Sequence, residues 1–116
     1  LVEGQLQGGI AHGIGNALYE WMGYDENSQP VITNFAEYLL PTSTTVPNIE
    51  IIHVETPSTL NPLGVKGAGE AGVIPVAGVV ISAVENALEP FGVWIGEAPI
   101  TPARIIELIE ASQAAR

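Results

Sequence analysis

One carboxylate, that of Glu70, lies in a stretch of backbone with almost no side-chain bulk. The glycines that surround it are Gly64, Gly67, Gly69 and Gly72. Glycine is favoured where the backbone takes a positive φ or where a ligand must approach the main chain closely. A carboxylate held ionised beside such a ligand can act as a general base. The sequence therefore predicts a ligand-facing loop with Glu70 as its candidate catalytic residue.

A long apolar stretch, residues 73–88, follows this loop and predicts a helix. Pro75 fits the first turn of that helix, where a backbone N–H has no intrahelical acceptor. Glu70 is therefore expected at or just before a helix N-terminus, where free N–H groups and the helix dipole favour the ionised carboxylate. The same placement is typical of an acid that only caps the helix, and spacing alone leaves that interpretation open.

The glycine pattern also permits a dinucleotide-binding interpretation. Gly67-Ala-Gly-Glu-Ala-Gly72 has the Gly-x-Gly-x-x-Gly spacing of such sites, and Glu97 follows as an acidic residue at a plausible distance. The preceding strand would be very short and would contain Pro62, and Glu70 would lie beside a pyrophosphate that repels it. The stretch is not a P-loop, because no Gly-Lys-Ser/Thr follows. A dinucleotide-binding module stays an alternative.

Two further helices are predicted on either side of the loop. From Glu3 to Trp21, apolar residues recur at helical spacing, and glycines lie between them. Because each glycine costs up to about 1 kcal/mol relative to alanine in a helix, this segment is expected to pack very closely against a neighbour or a ligand. Near the other end of the chain, Thr101 is a typical N-cap, and Pro102 suits the first helical position.

The remaining segments predict a small sheet. β-branched residues from Ile49 to Glu55 predict a strand, and Phe91 to Ile95 is a short strand candidate. Pro30 to Leu40 is expected to be extended, although Ala36-Glu-Tyr-Leu-Leu40 could also coil. The predicted fold class is therefore α+β, with about three helices and a small, mostly antiparallel sheet. In this fold the glycine loop and the first helix would form one wall of a cleft.

Composition excludes several classes of function. The net charge of −10 makes binding to nucleic acid or to an anionic membrane surface unexpected. Without cysteine the chain holds no iron–sulfur cluster and no disulfide. His12 and His53 have no partner at ligand spacing, so packed or capping roles are expected and no side-chain metal site is predicted. No apolar run reaches the roughly 20 residues that cross a bilayer. No signal peptide is visible, so a cytoplasmic protein is expected.

Several motifs in order carry a resemblance to a known family. Pro62-Leu-Gly-Val-Lys-Gly-Ala-Gly-Glu-Ala-Gly72 resembles the C-terminal glutamate loop of the molybdopterin-binding large subunit in the xanthine dehydrogenase and aldehyde oxidase family, which includes aerobic carbon monoxide dehydrogenases. Other segments resemble the family's Gly-Gln segment, its middle and its closing helix: Val2-Glu-Gly-Gln-Leu-Gln-Gly-Gly9, Tyr38-Leu-Leu-Pro-Thr42, Val46-Pro-Asn-Ile-Glu50 and Ala98-Pro-Ile-Thr-Pro-Ala-Arg104. The resemblance thus extends over nearly the whole chain.

The resemblance implies an oxidoreductase of the molybdenum hydroxylase type. Residues 1–116 would be the C-terminal part of its molybdopterin-binding domain, and the enzyme would oxidise an aldehyde, an N-heterocycle or a similar small substrate with oxygen derived from water. Glu70 would be the general base. Cofactor contacts are implied for Gln5, Gly67, Ala68 and Gly69. The cofactor would be molybdenum-molybdopterin, with the cytosine dinucleotide form possible, and the pterin rather than protein side chains would hold the metal.

The implied partners lie outside these residues. No cofactor would be held entirely by this chain, which begins at Leu1 with a family motif and is expected to be a piece of a larger protein. The remainder of the molybdopterin subunit and iron–sulfur and FAD subunits or domains would complete the enzyme, and the 116 residues alone are expected to be inactive. A non-catalytic assembly module is the second alternative, since only 14% of the residues are charged.

Overall fold

Three α-helices account for the regular structure in a computed structural model that describes residues 1–115. They are α1 (Val2–Leu18), α2 (Val76–Ala87) and α3 (Pro102–Ala114), and a short 3-10 helix, Glu89–Phe91, follows α2. Turns and extended segments form the long connection between α1 and α2. Across residues 1–115, none of the helices has the length and apolar character needed to cross a membrane.

The three predicted helices are present, with shifted boundaries at two of them. α1 ends at Leu18 rather than at Trp21. α2 begins at Val76, because residues 71–75 form turns, and Pro75 is the residue before the helix rather than a part of its first turn. α3 begins as predicted, since Thr101 Oγ1 accepts a hydrogen bond from the backbone N–H of Arg104 at 3.2 Å.

The predicted sheet is wrong. An isolated antiparallel bridge between Tyr24 and Pro30 is the only strand-like pairing in residues 1–115. Residues 49–55 form neither helix nor strand, no backbone hydrogen bond joins them to another segment of the described chain, and Ile52 and Val54 are 80% and 81% exposed. A β-branched pattern indicates fit to a pleated, half-buried surface and forms a strand only where a partner strand is paired with it.

The other two extended segments also differ from the prediction. The Pro30 to Leu40 segment turns at Asn34, whose Oδ1 accepts from the N–H of Ala36 at 2.9 Å. Gly92 takes a left-handed conformation with φ of 67°. Ile95 N–H then donates to the Glu85 carboxylate at 2.7 Å rather than to a strand. The α+β class is therefore corrected to three helices without a sheet in the described residues.

A small core lies where α1 and α2 meet the segment that precedes α3. Its buried apolar residues are Ile14, Ala17, Val76, Ile95 and Ile100. A Cβ on Gly13 would overlap the Val76 side chain, so the glycine allows α2 to approach the backbone of α1. The N–H of Ile100 donates to the carbonyl of Ala17 at 2.7 Å and holds the last segment against the end of α1. The contact of Gly13 with Val76 confirms the close packing predicted for α1, whereas a Cβ at Gly4 or Gly8 would meet nothing within 4 Å in the described residues.

Most large apolar side chains lie outside this core. Leu60 is 94% exposed, Phe35 86% and Trp94 76%. The solvent-accessible surface is 8653 Å², against roughly 6,000 Å² for a compact monomer of this mass. The radius of gyration is 18.1 Å, against about 13 Å for a compact domain of this length. Apolar exposure on this scale is typical of a segment that packs against further protein.

Candidate functional site

The glycine loop, defined here as residues 66–72, presents a row of backbone N–H groups without acceptors. Within residues 1–115, none of the N–H groups from Lys66 to Gly72 donates a hydrogen bond. Such N–H groups are available to donate to a ligand rich in acceptor atoms, such as a phosphate or a heterocycle. The loop is thus a candidate binding element before any side chain is considered.

Side-chain bulk is missing where such a ligand would lie. An ideal Cβ built on Gly67 or on Gly69 would meet no atom of residues 1–115 within 4 Å. Both glycines are exposed, and Ala68 between them is half-buried. No packing contact in residues 1–115 therefore requires glycine at these two positions, which fits a loop that leaves room for an external group.

Glu70 has an exposed side chain that makes no ion pair and no side-chain hydrogen bond with the rest of residues 1–115. Its backbone carbonyl accepts from the N–H groups of Val73 and Ile74 at 3.1 and 3.4 Å, which turns the chain toward α2. The predicted position beside the helix N-terminus is wrong, since that turn separates Glu70 from Val76. No side chain caps α2, so the capping interpretation fails as well.

The end of the glycine loop lies directly against α1. A Cβ on Gly72 would be 2.5 Å from the carbonyl oxygen of Leu6 and 3.2 Å from the Cα of Gly9. A Cβ on Gly9 would in turn be 2.9 Å from the Cα of Gly72. This backbone contact, named here the Gly9–Gly72 contact, brings the loop that carries Glu70 to the first turns of α1. Gln5 is exposed in those turns, one residue before Leu6.

An apolar groove of about 480 Å³ lies beside this contact. α1 contributes Leu6 and Ile10 to its lining, and the segment 49–55 contributes Ile51. The chain just after Glu70 contributes Ala71 and Gly72. Apolar walls with a few polar groups at one end are the usual construction of a small-molecule site. The loop therefore adjoins a concave surface rather than a convex one.

The dinucleotide-binding interpretation is not supported by this geometry. Such a site needs a strand directly before the glycines and a helix that opens directly after them. Neither is present around Gly67 to Gly72, because residues 61–68 form no strand and residues 71–75 form turns before α2 begins at Val76.

The sequence predicts packed or capping roles for both histidines, and neither side chain is packed. His12 is exposed, and His53 Nε2 lies 3.6 Å from Glu3 Oε1 with both side chains more than half exposed. This His53–Glu3 pair joins the segment 49–55 to the first turn of α1. In the described part of the chain, no three His, Cys, Asp or Glu side chains converge to hold a metal ion.

A partly buried hydrogen bond between the side chains of Tyr38 and Glu20 was not predicted from the sequence. The Tyr38 hydroxyl donates to Glu20 Oε2 at 2.8 Å. That hydrogen bond, with smaller contributions from desolvation and from the Glu20 charge, raises the pKa of Tyr38 above its ordinary value of 10.0. The two residues belong to different segments with no periodic relation between them, so no sequence signal pairs them. Glu20 and His12 also line an open pocket at the end of α1.

We expect Glu20→Gln to lower the pKa of Tyr38 toward 10.0, because the amide lacks the negative charge that favours the neutral phenol. A folded pKa above the unfolded value means that the bond stabilises the fold below about pH 10 and that this contribution is lost as the pH rises through the folded pKa. NMR titration of ¹³C-labelled Tyr38 in the full-length protein measures the shift. Glu37→Gln, which removes a neighbouring charge without the hydrogen bond, is the control, and an equal shift there would contradict the assignment.

Comparison with known proteins identifies the chain. The family described as a molybdopterin cofactor-binding domain matches residues 1–47. The nicotine 6-hydroxylase large subunit of Paenarthrobacter nicotinovorans is 43% identical over 91% of the chain and 13% of its own length. The putative xanthine dehydrogenase molybdenum-binding subunit of Escherichia coli K12 is 40% identical over 92% of the chain and 14% of its own length.

A solved structure, quinoline 2-oxidoreductase from Pseudomonas putida 86, superimposes with a TM-score of 0.90 at 48% identity and covers 94% of the chain. The chain covers 14% of that structure, so it corresponds to a small part of each relative. The resemblance read from the glutamate loop and the other motifs is confirmed by these matches. The chain belongs to the family of molybdopterin-binding large subunits of molybdenum oxidoreductases that includes the xanthine dehydrogenases.

Proposed function

We propose that this chain supplies one wall of the cofactor site in a molybdenum hydroxylase, as the C-terminal part of its molybdopterin-binding domain. The observation that carries the proposal is the glycine loop, in which N–H groups and one carboxylate lie side by side without partners in residues 1–115. Molybdopterin fits this donor set, because its pterin ring and phosphate offer several acceptor atoms. The N–H groups of Gly67, Ala68 and Gly69 would donate to those atoms, and the Gln5 amide would add a further polar contact.

When bound, the molybdenum cofactor would supply a centre that accepts the hydrogen of the substrate C–H bond together with the two electrons of that bond. Glu70 is proposed as the general base, which takes a proton from the water-derived oxygen as that oxygen attacks the substrate. Its freedom from ion pairs within residues 1–115 leaves both carboxylate oxygens available for this proton. The small residues on either side keep side chains away from the reacting atoms.

An aromatic N-heterocycle is the substrate class that we propose. Nicotine, quinoline and xanthine, which stand in the names of the similar proteins, all contain a nitrogen heterocycle. The ring carbon next to such a nitrogen is electron-poor and is attacked by an oxygen nucleophile. Electrons would leave through iron–sulfur and FAD partners, since the 116 residues contain no cysteine to bind an iron–sulfur cluster. On this proposal the isolated chain is inactive.

Isotope labelling in the complete enzyme tests this function. The purified complex is expected to contain molybdenum in proportion to its large subunit and to release cytidine monophosphate on acid hydrolysis if the cofactor is the cytosine dinucleotide form. With quinoline, nicotine, xanthine and an aromatic aldehyde offered in H₂¹⁸O, the hydroxylated product of a heterocycle is expected to carry ¹⁸O. Product oxygen that comes from O₂, or turnover of the aldehyde alone, would contradict the proposal.

A role in assembly alone is the second candidate, which the exposed apolar side chains of Leu60, Phe35 and Trp94 favour. The two candidate functions predict different effects of exchanging Glu70. Exchange of Glu70 would leave a purely structural segment unaffected, whereas it would stop a catalytic one.

A further inference from the structure

The side chain of Asn61 holds one residue just ahead of the glycine loop by both of its polar atoms. Asn61 Oδ1 accepts from the backbone N–H of Val65, and Asn61 Nδ2 donates to the backbone carbonyl of Val65, each at 3.0 Å. Asn61 is itself half-buried. We name this pair of hydrogen bonds the Asn61–Val65 clamp. One carboxamide thereby fixes both peptide groups of a single residue.

Further hydrogen bonds brace the clamp on its upstream side. The N–H of Gly64 donates to the carbonyl of Asn61 at 3.1 Å, and the N–H of Ser58 donates to the carbonyl of Gly64 at 3.0 Å. Gly64 takes a φ of 65°, which glycine adopts without strain. Lys66 Nζ donates to Thr56 Oγ1 at 2.8 Å. The chain is therefore hydrogen-bonded on itself as far as residue 66.

Beyond residue 66 this support stops. No N–H from Lys66 to Gly72 donates within residues 1–115, and the next firm contacts are the hydrogen bonds that the Glu70 carbonyl accepts from Val73 and Ile74 and the packing of Gly72 against α1. The glycine loop is thus held at its two ends, by the Asn61–Val65 clamp and by the Gly9–Gly72 contact. The direction in which Glu70 points depends on both ends being fixed.

We propose that Asn61 is a positioning residue for Glu70, acting through the backbone of Val65 and without contact to the cofactor or the substrate. The inference rests on the proposed function, because it assigns Asn61 a share in placing the general base. Asparagine is specific for this task. Aspartate has the same shape but cannot donate, and it places a second acceptor against the Val65 carbonyl, while alanine loses both bonds.

The experiment compares Asn61→Asp and Asn61→Ala with Asn48→Asp in the complete enzyme. Asn48 is exposed and its side chain makes no hydrogen bond in the described residues, so its exchange introduces the same charge without breaking a clamp. In the Asn61 variants kcat is expected to fall about 10-fold to 100-fold with KM nearly unchanged, as for a displaced catalytic group. Amides of residues 65–72 are expected to exchange hydrogen for deuterium faster, while molybdenum content and Tm stay at wild-type values.

Wild-type kcat and exchange rates in both Asn61 variants would overturn the proposal. So would a loss of molybdenum together with a lower Tm, because that result indicates a purely structural role. Failure of the proposed function gives a different pattern, in which Glu70→Gln retains turnover. Faster exchange at residues 65–72 in Asn61→Asp would still support the clamp in that case.

Discussion

Exchange of Glu70 for glutamine in the complete enzyme is expected to lower kcat by about 10²-fold to 10⁴-fold, the usual contribution of a general base. Glutamine has the same length and shape but does not take up the proton of the attacking oxygen. Because Glu70 makes no ion pair or side-chain hydrogen bond in residues 1–115, its loss breaks no structural contact there. Molybdenum content and thermal stability are therefore expected to stay unchanged.

Steady-state kinetics with the preferred heterocycle measure kcat, and metal analysis of the same preparation measures the molybdenum content. Glu110→Gln is a suitable control, since Glu110 is an exposed acid on α3 and its exchange for glutamine removes the same charge. Near-normal turnover in Glu70→Gln would remove this residue from the mechanism. A loss of molybdenum in step with activity would instead assign Glu70 to cofactor retention.

Exchange of Gly72 for alanine is expected to separate the glycine loop from α1. The added Cβ would lie 2.5 Å from the Leu6 carbonyl oxygen and 3.0 Å from the Leu6 Cα. Both atoms belong to helix backbone, which cannot turn aside as a flexible side chain does. Overpacking of this kind costs about 1–3 kcal/mol. Unfolding of the cofactor-free subunit is therefore expected at lower denaturant concentration, with less molybdenum retained in the complete enzyme.

Gly69→Ala is the matched control, because its Cβ meets nothing within 4 Å in the chain. The stability of the cofactor-free subunit is expected to be unchanged in this variant. If the loop borders the cofactor, Gly69→Ala nevertheless lowers molybdenum content or activity, since its methyl group occupies the space of the ligand. Equal destabilisation by Gly69→Ala and Gly72→Ala would contradict the distinction between an open glycine and a packed one.

The helices were predicted from signals that act within a few residues of the chain. The features that the sequence did not predict depend on contacts between residues far apart in sequence. The start of α3 follows from Thr101 and Pro102, which act within one turn of the chain. The strand predicted at residues 49–55 needs a partner that propensity does not reveal, and no such partner lies in residues 1–115.

The candidate site was predictable in part for the same reason. Glycine density singled out Glu70, and the resemblance supplied a family that the comparisons confirm. The sequence could not distinguish Gly72, which is packed against α1, from Gly67 and Gly69, which border open space. The Asn61–Val65 clamp depends on a left-handed Gly64, and a turn of this kind is visible only in the structure.

The Gly9–Gly72 contact joins parts of the chain that are far apart in sequence. Closing an excursion of roughly 60 residues costs about 4 kcal/mol of chain entropy, and doubling its length would add only about 0.6 kcal/mol. The contact between the two halves of the site therefore depends little on how long the intervening segment is. Insertions in the exposed turn at residues 25–29 should consequently be tolerated, whereas a single methyl group at the point of closure should not.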